Sequence, residues 1–87
     1  METKIINQTG LHARPAATFV SKAATFSADI TIQNLNTGRE ANVKSIVGIL
    51  TLGLFKDTPV KISAVGGDES EAVKALVELV EGGFGDT

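Results

Sequence analysis

The sequence predicts an α/β (α+β) domain in which one antiparallel sheet is covered by helices on one face. Three observations support this: apolar residues recur at helical spacing in some segments, alternate with polar residues in others, and form two alternating runs on either side of a turn-rich stretch. The segment order is strand-helix-strand-strand-helix-strand-helix, or βαββαβα. A central hairpin combined with amphipathic helices is typical of a two-layer sandwich with four strands and three helices.

The first half of the chain predicts a strand, a helix and a hairpin. Thr3 to Asn7 is a short apolar-polar run that indicates the first strand. Ala16 to Phe26 predicts a helix whose apolar stripe consists of Ala16, Phe19, Val20, Ala23 and Ala24. Ala28 to Gln33 alternates as a half-buried strand does, and residues 34–38 form a turn. Arg39 to Val43 then returns antiparallel.

The second half predicts a short helix, a strand and a longer helix. Lys44 to Gly53 indicates a helix that begins after Ser45 and stops at Gly53, although its β-branched residues leave a strand possible. Residues 60–65 alternate as a strand does. Asp68 with Glu71 three residues later resembles a capping box for the last helix, which ends at Gly82-Gly83. Its buried face consists of Ala72, Val73, Leu76, Leu79 and Val80.

The composition fits a single small domain over residues 1–87. Hydrophobic residues make up 43% and charged residues 21%, as in ordinary globular proteins. A net charge of −2, four Phe and no Trp or Tyr argue against the basic, stacking surface of a nucleic-acid binder. The absence of Cys excludes disulfides and thiolate metal sites. No apolar run reaches membrane-spanning length, so we expect a soluble cytoplasmic protein without membrane insertion.

The only histidine, His12, lies between a strand-like and a helix-like run. Gly10 supplies a turn before it, and Pro15 fits the first turn of the following helix, where a missing N–H costs little. We therefore expect His12 at or near the helix N-cap, with free backbone N–H groups close to its ring. Because Arg14 adds a positive charge nearby, the stretch predicts an imidazole in a setting that attracts an anion.

A lone histidine in a small domain is most often a surface or capping residue. Metal binding needs several ligands and a Ser-His-Asp triad needs a nucleophile elbow, and the sequence has neither; we expect no metal and no cofactor. A phosphorylated imidazole needs only His12. The helix N-terminus and Arg14 would both stabilise a phosphoryl group attached to the ring.

Two stretches resemble a known protein family. Residues 10–15 (GLHARP) are similar to the phosphorylation-site motif of the HPr family, the histidine-containing phosphocarriers of the bacterial phosphoenolpyruvate-dependent sugar phosphotransferase system. Residues 42–53 (NVKSIVGILTLG) are similar to the regulatory-serine segment of that family. The likeness covers essentially the whole chain, and it implies an open-faced β-sandwich with sheet order 1-4-2-3.

The resemblance also implies a role for the histidine site. His12 would accept a phosphoryl group from enzyme I on its Nδ1 atom and pass it to a histidine of a sugar-specific enzyme IIA domain. Arg14 would be the electrostatic partner of the phosphate, and Pro15 would complete the motif. The chain would then be a carrier rather than an enzyme, and we expect a monomer.

Ser45 has an ordinary structural interpretation, since most N-cap serines are never modified. By the resemblance, however, it matches the serine that an ATP-dependent HPr kinase/phosphorylase modifies in many Gram-positive bacteria, where the product is a corepressor for a LacI-type catabolite control protein. A docking patch beside His12 would comprise Ile46, Val47, Gly48, Leu50, Leu54 and Phe55. Family members commonly carry methionine where this chain has Val47 and Leu50. Leu50 and Leu52 fit the core as well as they fit a patch.

Four hypotheses follow from these observations. The first is a general phosphocarrier modified at His12 and regulated at Ser45. The second is a regulatory module of the same fold that acts through Ser45 alone, against which the retained His12, Arg14 and Pro15 argue. The third is a small ligand-binding or RNA-binding domain, which the low pI and scarce aromatic residues disfavour for RNA. The fourth is a paralogue that serves nitrogen regulation or another dedicated pathway.

Overall fold

The computed structural model describes residues 1–85 and has the predicted order of elements. The strands are β1 (Glu2–Lys4), β2 (Asp29–Asn34), β3 (Glu40–Asn42) and β4 (Pro59–Val65). The helices are α1 (Ala13–Ala23), α2 (Ile46–Leu50) and α3 (Glu69–Glu81), and a short helical turn, Gly83–Gly85, follows.

The four strands form one antiparallel sheet in the order β1-β4-β2-β3, which confirms the predicted topology. Ile32 of β2 lies opposite Ile62 on one side and Ala41 on the other, so the hairpin and the last strand share a register. Because side chains alternate along a strand, this register places Ile30, Ile32, Val60 and Ile62 on one buried face. The helices pack on that face, and the other face is open.

The core lies between the sheet and the helices. Phe19 of α1 is fully buried and contacts Phe84 edge-to-face, with ring centroids 5.7 Å apart. Buried side chains from α3 complete this layer: Ala72, Leu76, Val77 and Val80. Val73 and Leu79, predicted on the same face, are half-buried at its margin.

Three predicted boundaries, the end of β1 and both ends of α1, are wrong. β1 ends at Lys4 rather than Asn7, opposite Pro59 at the start of β4; Ile5, the next residue, exchanges hydrogen bonds with Thr58 and Asp57 in the turn that precedes β4. α1 runs from Ala13 to Ala23 rather than from Ala16 to Phe26. The hydroxyl of Thr25 donates to the Lys22 carbonyl at 2.7 Å and helps to end the helix, which leaves Ala24 exposed.

The capping box predicted for α3 is also wrong. Asp68 occupies the N-cap position, but its side chain makes no capping hydrogen bond. Instead, its two carboxylate oxygens accept the backbone N–H groups of Ser27 and Ala28, both at 2.9 Å. These bonds, with Ser27 the largest cause, hold the pKa of Asp68 below its ordinary value of 3.8. The carboxylate thus joins the start of α3 to the segment that leads into β2.

Candidate functional site

His12 is the N-cap residue of α1, as predicted. Its backbone is extended (φ −104°, ψ −163°), and its carbonyl accepts a hydrogen bond from Ala16 N–H at 2.8 Å. The imidazole is exposed and makes no capping bond to the helix. The N–H groups of Ala13 and Arg14 lie in the first turn, where an α-helix provides no internal acceptor. The ring and these donors therefore share one solvent-facing helix terminus.

Gly10 determines the backbone path of the loop before His12. Its φ of +67° is in the left-handed region, and an added Cβ would lie 2.5 Å from the Leu54 carbonyl oxygen and 2.9 Å from the Phe55 Cα atom. Only glycine fits both the dihedral angle and this approach. The next residue, Leu11, donates its N–H to the same Leu54 carbonyl at 2.8 Å. The loop is thus packed directly against residues 54–55.

The buried side chain of Asn7 holds the same loop from the core side. The sequence did not predict this role, because Asn7 was interpreted only as the end of a strand. Its side chain is buried, and Nδ2 donates to the Gly10 carbonyl at 2.7 Å. Its own carbonyl accepts the Gly10 N–H at 3.1 Å. An Asn three residues before a turn glycine was the available signal, since Asn side chains commonly bond to nearby backbone in turns.

The charge around His12 is positive. Residues 3–28 contain no Asp or Glu, so neither the loop nor α1 repels an anion at the helix terminus. Arg14 is exposed two residues after His12, where its guanidinium is free to approach a phosphoryl group on the ring. Pro15 is fully buried and fixes the first turn of α1 to the core.

Ser45 is the N-cap of α2, as predicted, and the segment is a helix rather than a strand. Its Oγ atom accepts the Gly48 N–H at 3.2 Å, and its side chain is exposed. A Cβ at Gly48 would lie 3.2 Å from the Ala41 Cβ atom and 3.3 Å from the Ser45 Oγ atom. The half-buried Gly48 therefore lets α2 lie close to β3 and to its own cap.

Four of the predicted docking residues are exposed apolar side chains: Ile46, Val47, Leu50 and Phe55. The prediction for Leu54 is wrong, because its side chain is 3% exposed and belongs to the core, whereas Phe55 is 70% exposed. The chain turns at Gly53 (φ +68°), and successive residues after the turn point to opposite sides. Leu52 is also buried, so of the two ambiguous leucines only Leu50 lies on the surface.

The candidate site combines an exposed imidazole, the first-turn N–H groups of α1 and the Arg14 guanidinium. Among residues 1–85, no three His, Cys, Asp or Glu side chains are close enough together to hold a metal ion. No helix in that range is long and apolar enough to cross a membrane. An exposed imidazole with helix N–H groups and one guanidinium suits the reversible attachment of an anionic group.

Comparison with known proteins agrees with this geometry. A family model described as the phosphorylation site of the HPr component of the phosphotransferase system matches residues 1–82. The chain belongs to the HPr family. The phosphocarrier protein HPr of Vibrio cholerae is 46% identical to it over 80 residues, which is 92% of each chain.

Solved HPr-like structures share the fold. The crystal structure of HPr-C-His from Thermoanaerobacter tengcongensis is 48% identical, with a TM-score of 0.93 over 100% of this chain and 96% of that one. The catabolite repression protein Crh of Bacillus subtilis, solved as an intertwined dimer with a swapped domain, is 38% identical, with a TM-score of 0.77 over 91% and 88% of the two chains. HPr proteins are phosphocarriers of the phosphotransferase system and not enzymes, and this chain is one of that family.

Proposed function

We propose that this HPr-family chain carries a phosphoryl group on His12, which it accepts from enzyme I and passes to enzyme IIA domains. The observation that carries the proposal is the exposed imidazole at the N-cap of α1, with unbonded first-turn donors and Arg14 beside it. Pro15 anchors that turn without using an N–H. Because the Arg14 charge and the helix dipole both favour the phosphorylated form, the proposal requires no metal or cofactor.

The transfer itself is a displacement at phosphorus. A ring nitrogen of His12, which we assign as Nδ1 from the family, supplies the electron pair for the new N–P bond. The bond between phosphorus and the donor breaks, and its electron pair remains with the donor. Transfer to enzyme IIA reverses these roles, with the His12 nitrogen as the leaving group. The first-turn donors and the guanidinium stabilise charge on the phosphoryl oxygens throughout.

Intact-mass analysis tests this proposal. We expect incubation with enzyme I, phosphoenolpyruvate and magnesium to add one acid-labile phosphoryl group. The variant His12→Ala should fold normally, because the side chain is exposed and has no capping bond, yet remain unmodified. An acid-stable adduct, or a labile adduct on His12→Ala, would place the modification elsewhere and refute the assignment.

We further propose that Ser45 is a regulatory phosphorylation site for an HPr kinase/phosphorylase. Its hydroxyl is exposed at the N-cap of α2 and directly precedes the docking patch of Ile46, Val47, Leu50 and Phe55. A phosphoserine would add a charge of about −1.5 to −2 beside that patch and would be accommodated at the helix start. Enzyme I would then dock less well, while a LacI-type catabolite control protein would be recruited in a Gram-positive host.

One alternative is a module of the same fold that acts only through Ser45. The likeness to Crh, which is named for catabolite repression, favours it. The histidine motif argues against it, since regulation through Ser45 does not require His12, Arg14 and Pro15 together. A nitrogen-pathway paralogue would have the same chemistry with other partners. Phosphorylation by the sugar-system enzyme I distinguishes the main proposal from both.

We also propose that residues 1–87 act as one domain and as a cytoplasmic monomer. β1 pairs with β4 of the same chain through the register Glu2 to Lys61, which supports a self-contained sheet. Size-exclusion chromatography with light scattering tests the monomer. A stable dimer would contradict this proposal and would resemble the intertwined dimer in which Crh was solved.

A further inference from the structure

We infer that Asn7 is a positioning residue for phosphoryl transfer, because its carboxamide holds the His12 loop (residues 8–11) in the conformation that presents His12. The inference rests on the proposed function of His12. Asn7 lies outside the GLHARP stretch and contacts neither His12 nor Arg14 through a hydrogen bond. It acts through the backbone of Gly10.

Asn7 binds both polar backbone groups of Gly10. The Nδ2 atom donates to the Gly10 carbonyl at 2.7 Å, and the Asn7 carbonyl accepts the Gly10 N–H at 3.1 Å. On its other side Gly10 meets the Leu54 carbonyl, which would lie 2.5 Å from an added Cβ. Gly10 is therefore held between the Asn7 side chain and the backbone of Leu54, two residues before the phosphoryl acceptor.

No other buried polar side chain supports this loop. Gln8 and Thr9 are exposed, and the remaining buried residues between positions 5 and 11 are Ile5, Gly10 and Leu11. Among residues 1–85, the one other backbone hydrogen bond that ties the loop to a distant segment runs from Leu11 N–H to the Leu54 carbonyl. Loss of the Asn7 carboxamide would leave Gly10 free to shift and, with it, the N-cap backbone of His12.

The Oδ1 atom of Asn7 indicates that this residue does more than stabilise the fold. Its Oδ1 atom is buried and has no hydrogen-bond partner among residues 1–85, which is a cost to folding. Asn34, the other buried asparagine, is bonded at both ends: Nδ2 donates to Leu52 and Oδ1 accepts from Asn36, each at 2.9 Å. The Asn7 side chain thus makes its hydrogen bond to Gly10 through Nδ2, while its Oδ1 atom stays unpaired.

The variant Asn7→Leu separates positioning from stability. Leucine has nearly the same shape, removes the unpaired Oδ1 and leaves the Gly10 carbonyl unpaired in its place, so one buried unpaired acceptor replaces another. We therefore expect a folded protein whose stability is close to that of the parent. Because the hydrogen bonds of Asn7 go to Gly10 and none goes to Val47 or another residue of α2 within residues 1–85, binding to enzyme I should be preserved.

The test is steady-state phosphorylation of the full chain by enzyme I and phosphoenolpyruvate. We expect Asn7→Leu to lower kcat about tenfold or more with KM within about twofold, as for a misplaced reacting group. Asn7→Ala, which removes the donor without adding bulk, should show the same split. Ile30→Val is the control, since it weakens the core in β2 away from the loop and should leave both constants unchanged.

Each outcome decides the inference. An unchanged kcat for a folded Asn7→Leu, a KM effect alone, or an equal loss in Ile30→Val would overturn it. Unfolding of both Asn7 variants would also overturn it, because Asn7 would then be a structural residue. If the parent chain, without any substitution, failed to accept a phosphoryl group, the function proposed for His12 would be refuted instead. The two proposals can therefore fail separately.

Discussion

The backbone N–H of Leu11 donates to the carbonyl of Leu54 at 2.8 Å, and both side chains are buried in the core. This bond joins the loop before His12 to the segment that follows α2. Phe55, the next residue, is exposed beside the same loop. The loop before His12 and residues 54–55 are therefore parts of one packed unit, so a partner that bound the proposed docking patch would meet the proposed phosphoryl acceptor in a fixed relation.

Gly10 provides a direct test of that packing. We expect Gly10→Ala to lower the free energy of unfolding by about 2–4 kcal/mol, from the cost of a left-handed residue and from the clash with the Leu54 carbonyl. Gly38→Ala is the matched control, because Gly38 has φ +79° but no atom within 4 Å of an added Cβ. It should cost only about 1 kcal/mol. Urea unfolding measures both, and equal losses would contradict the role of the contact.

Arg14→Ala should impair transfer without unfolding the protein. Arg14 is exposed, and no ion pair or side-chain hydrogen bond is formed by its guanidinium within the described chain, so stability should change by less than about 0.5 kcal/mol. The rate of phosphorylation by enzyme I should fall about tenfold or more, since a charge-assisted contact to phosphate is lost. Arg14→Lys should recover part of the rate. A loss of stability that accounts for the whole effect would identify Arg14 as structural.

Two substitutions at Ser45 separate its capping and regulatory roles. Ser45→Ala removes the acceptor for Gly48 N–H and should cost about 1 kcal/mol of stability. Ser45→Asp keeps an acceptor at the N-cap, so it should be the more stable variant in urea unfolding. Its added charge should nevertheless slow phosphorylation by enzyme I, whereas Ser45→Ala should not. Equal rates for the two variants would remove the regulatory interpretation.

The proposed docking patch is tested with two valines of similar exposure. Val47 of α2 is 68% exposed and Val65 at the end of β4 is 74% exposed. We expect Val47→Ser to raise the KM for enzyme I at least about threefold, as truncation of an interface residue does. Val65→Ser, which makes a similar change outside the patch, should leave KM unchanged. A similar rise in both variants would show a general surface effect.

The Asp68 contact should make stability depend on pH. Because its backbone partners lower the pKa of the folded carboxyl group, the ionised form stabilises the fold above pH 3.8, and this contribution is lost as pH falls through the lowered value. Asp68→Asn should therefore be less stable than the parent at pH 7, and the difference should shrink in acid. Urea unfolding between pH 7 and pH 2 measures this difference. A pH-independent gap would mean that the charge of Asp68 is not the cause.

Local signals account for the features that the sequence predicted correctly. The N-cap positions of His12 and Ser45 follow from residues within one helical turn, and the central hairpin follows from the turn chemistry of residues 34–38. Each of these features depends on neighbours in the chain. The sheet order was implied by family resemblance and not by these local patterns.

The predictions that were wrong concern features that depend on contacts with distant parts of the chain or on the path of the backbone. Asp68 binds Ser27 and Ala28, about forty residues away in sequence, so nothing near Asp68 distinguishes this contact from a capping box. Leu54 and Phe55 are adjacent apolar residues, and their assignment to core and surface depends on the turn at Gly53. The carboxamide of Asn7 has a local partner, but its importance is apparent only once Leu54 is seen to close the other side of Gly10.

The dependence of the His12 loop on Leu54 has a consequence for biosynthesis. While the chain is being translated, the GLHARP stretch leaves the ribosome long before Leu54 and before β4, which lies between β1 and β2 in the sheet. Until those later residues emerge, Leu11 lacks its acceptor and β1 lacks its neighbour. A nascent or prematurely terminated chain that stops before β4 therefore contains His12 without the neighbours that hold the loop before it.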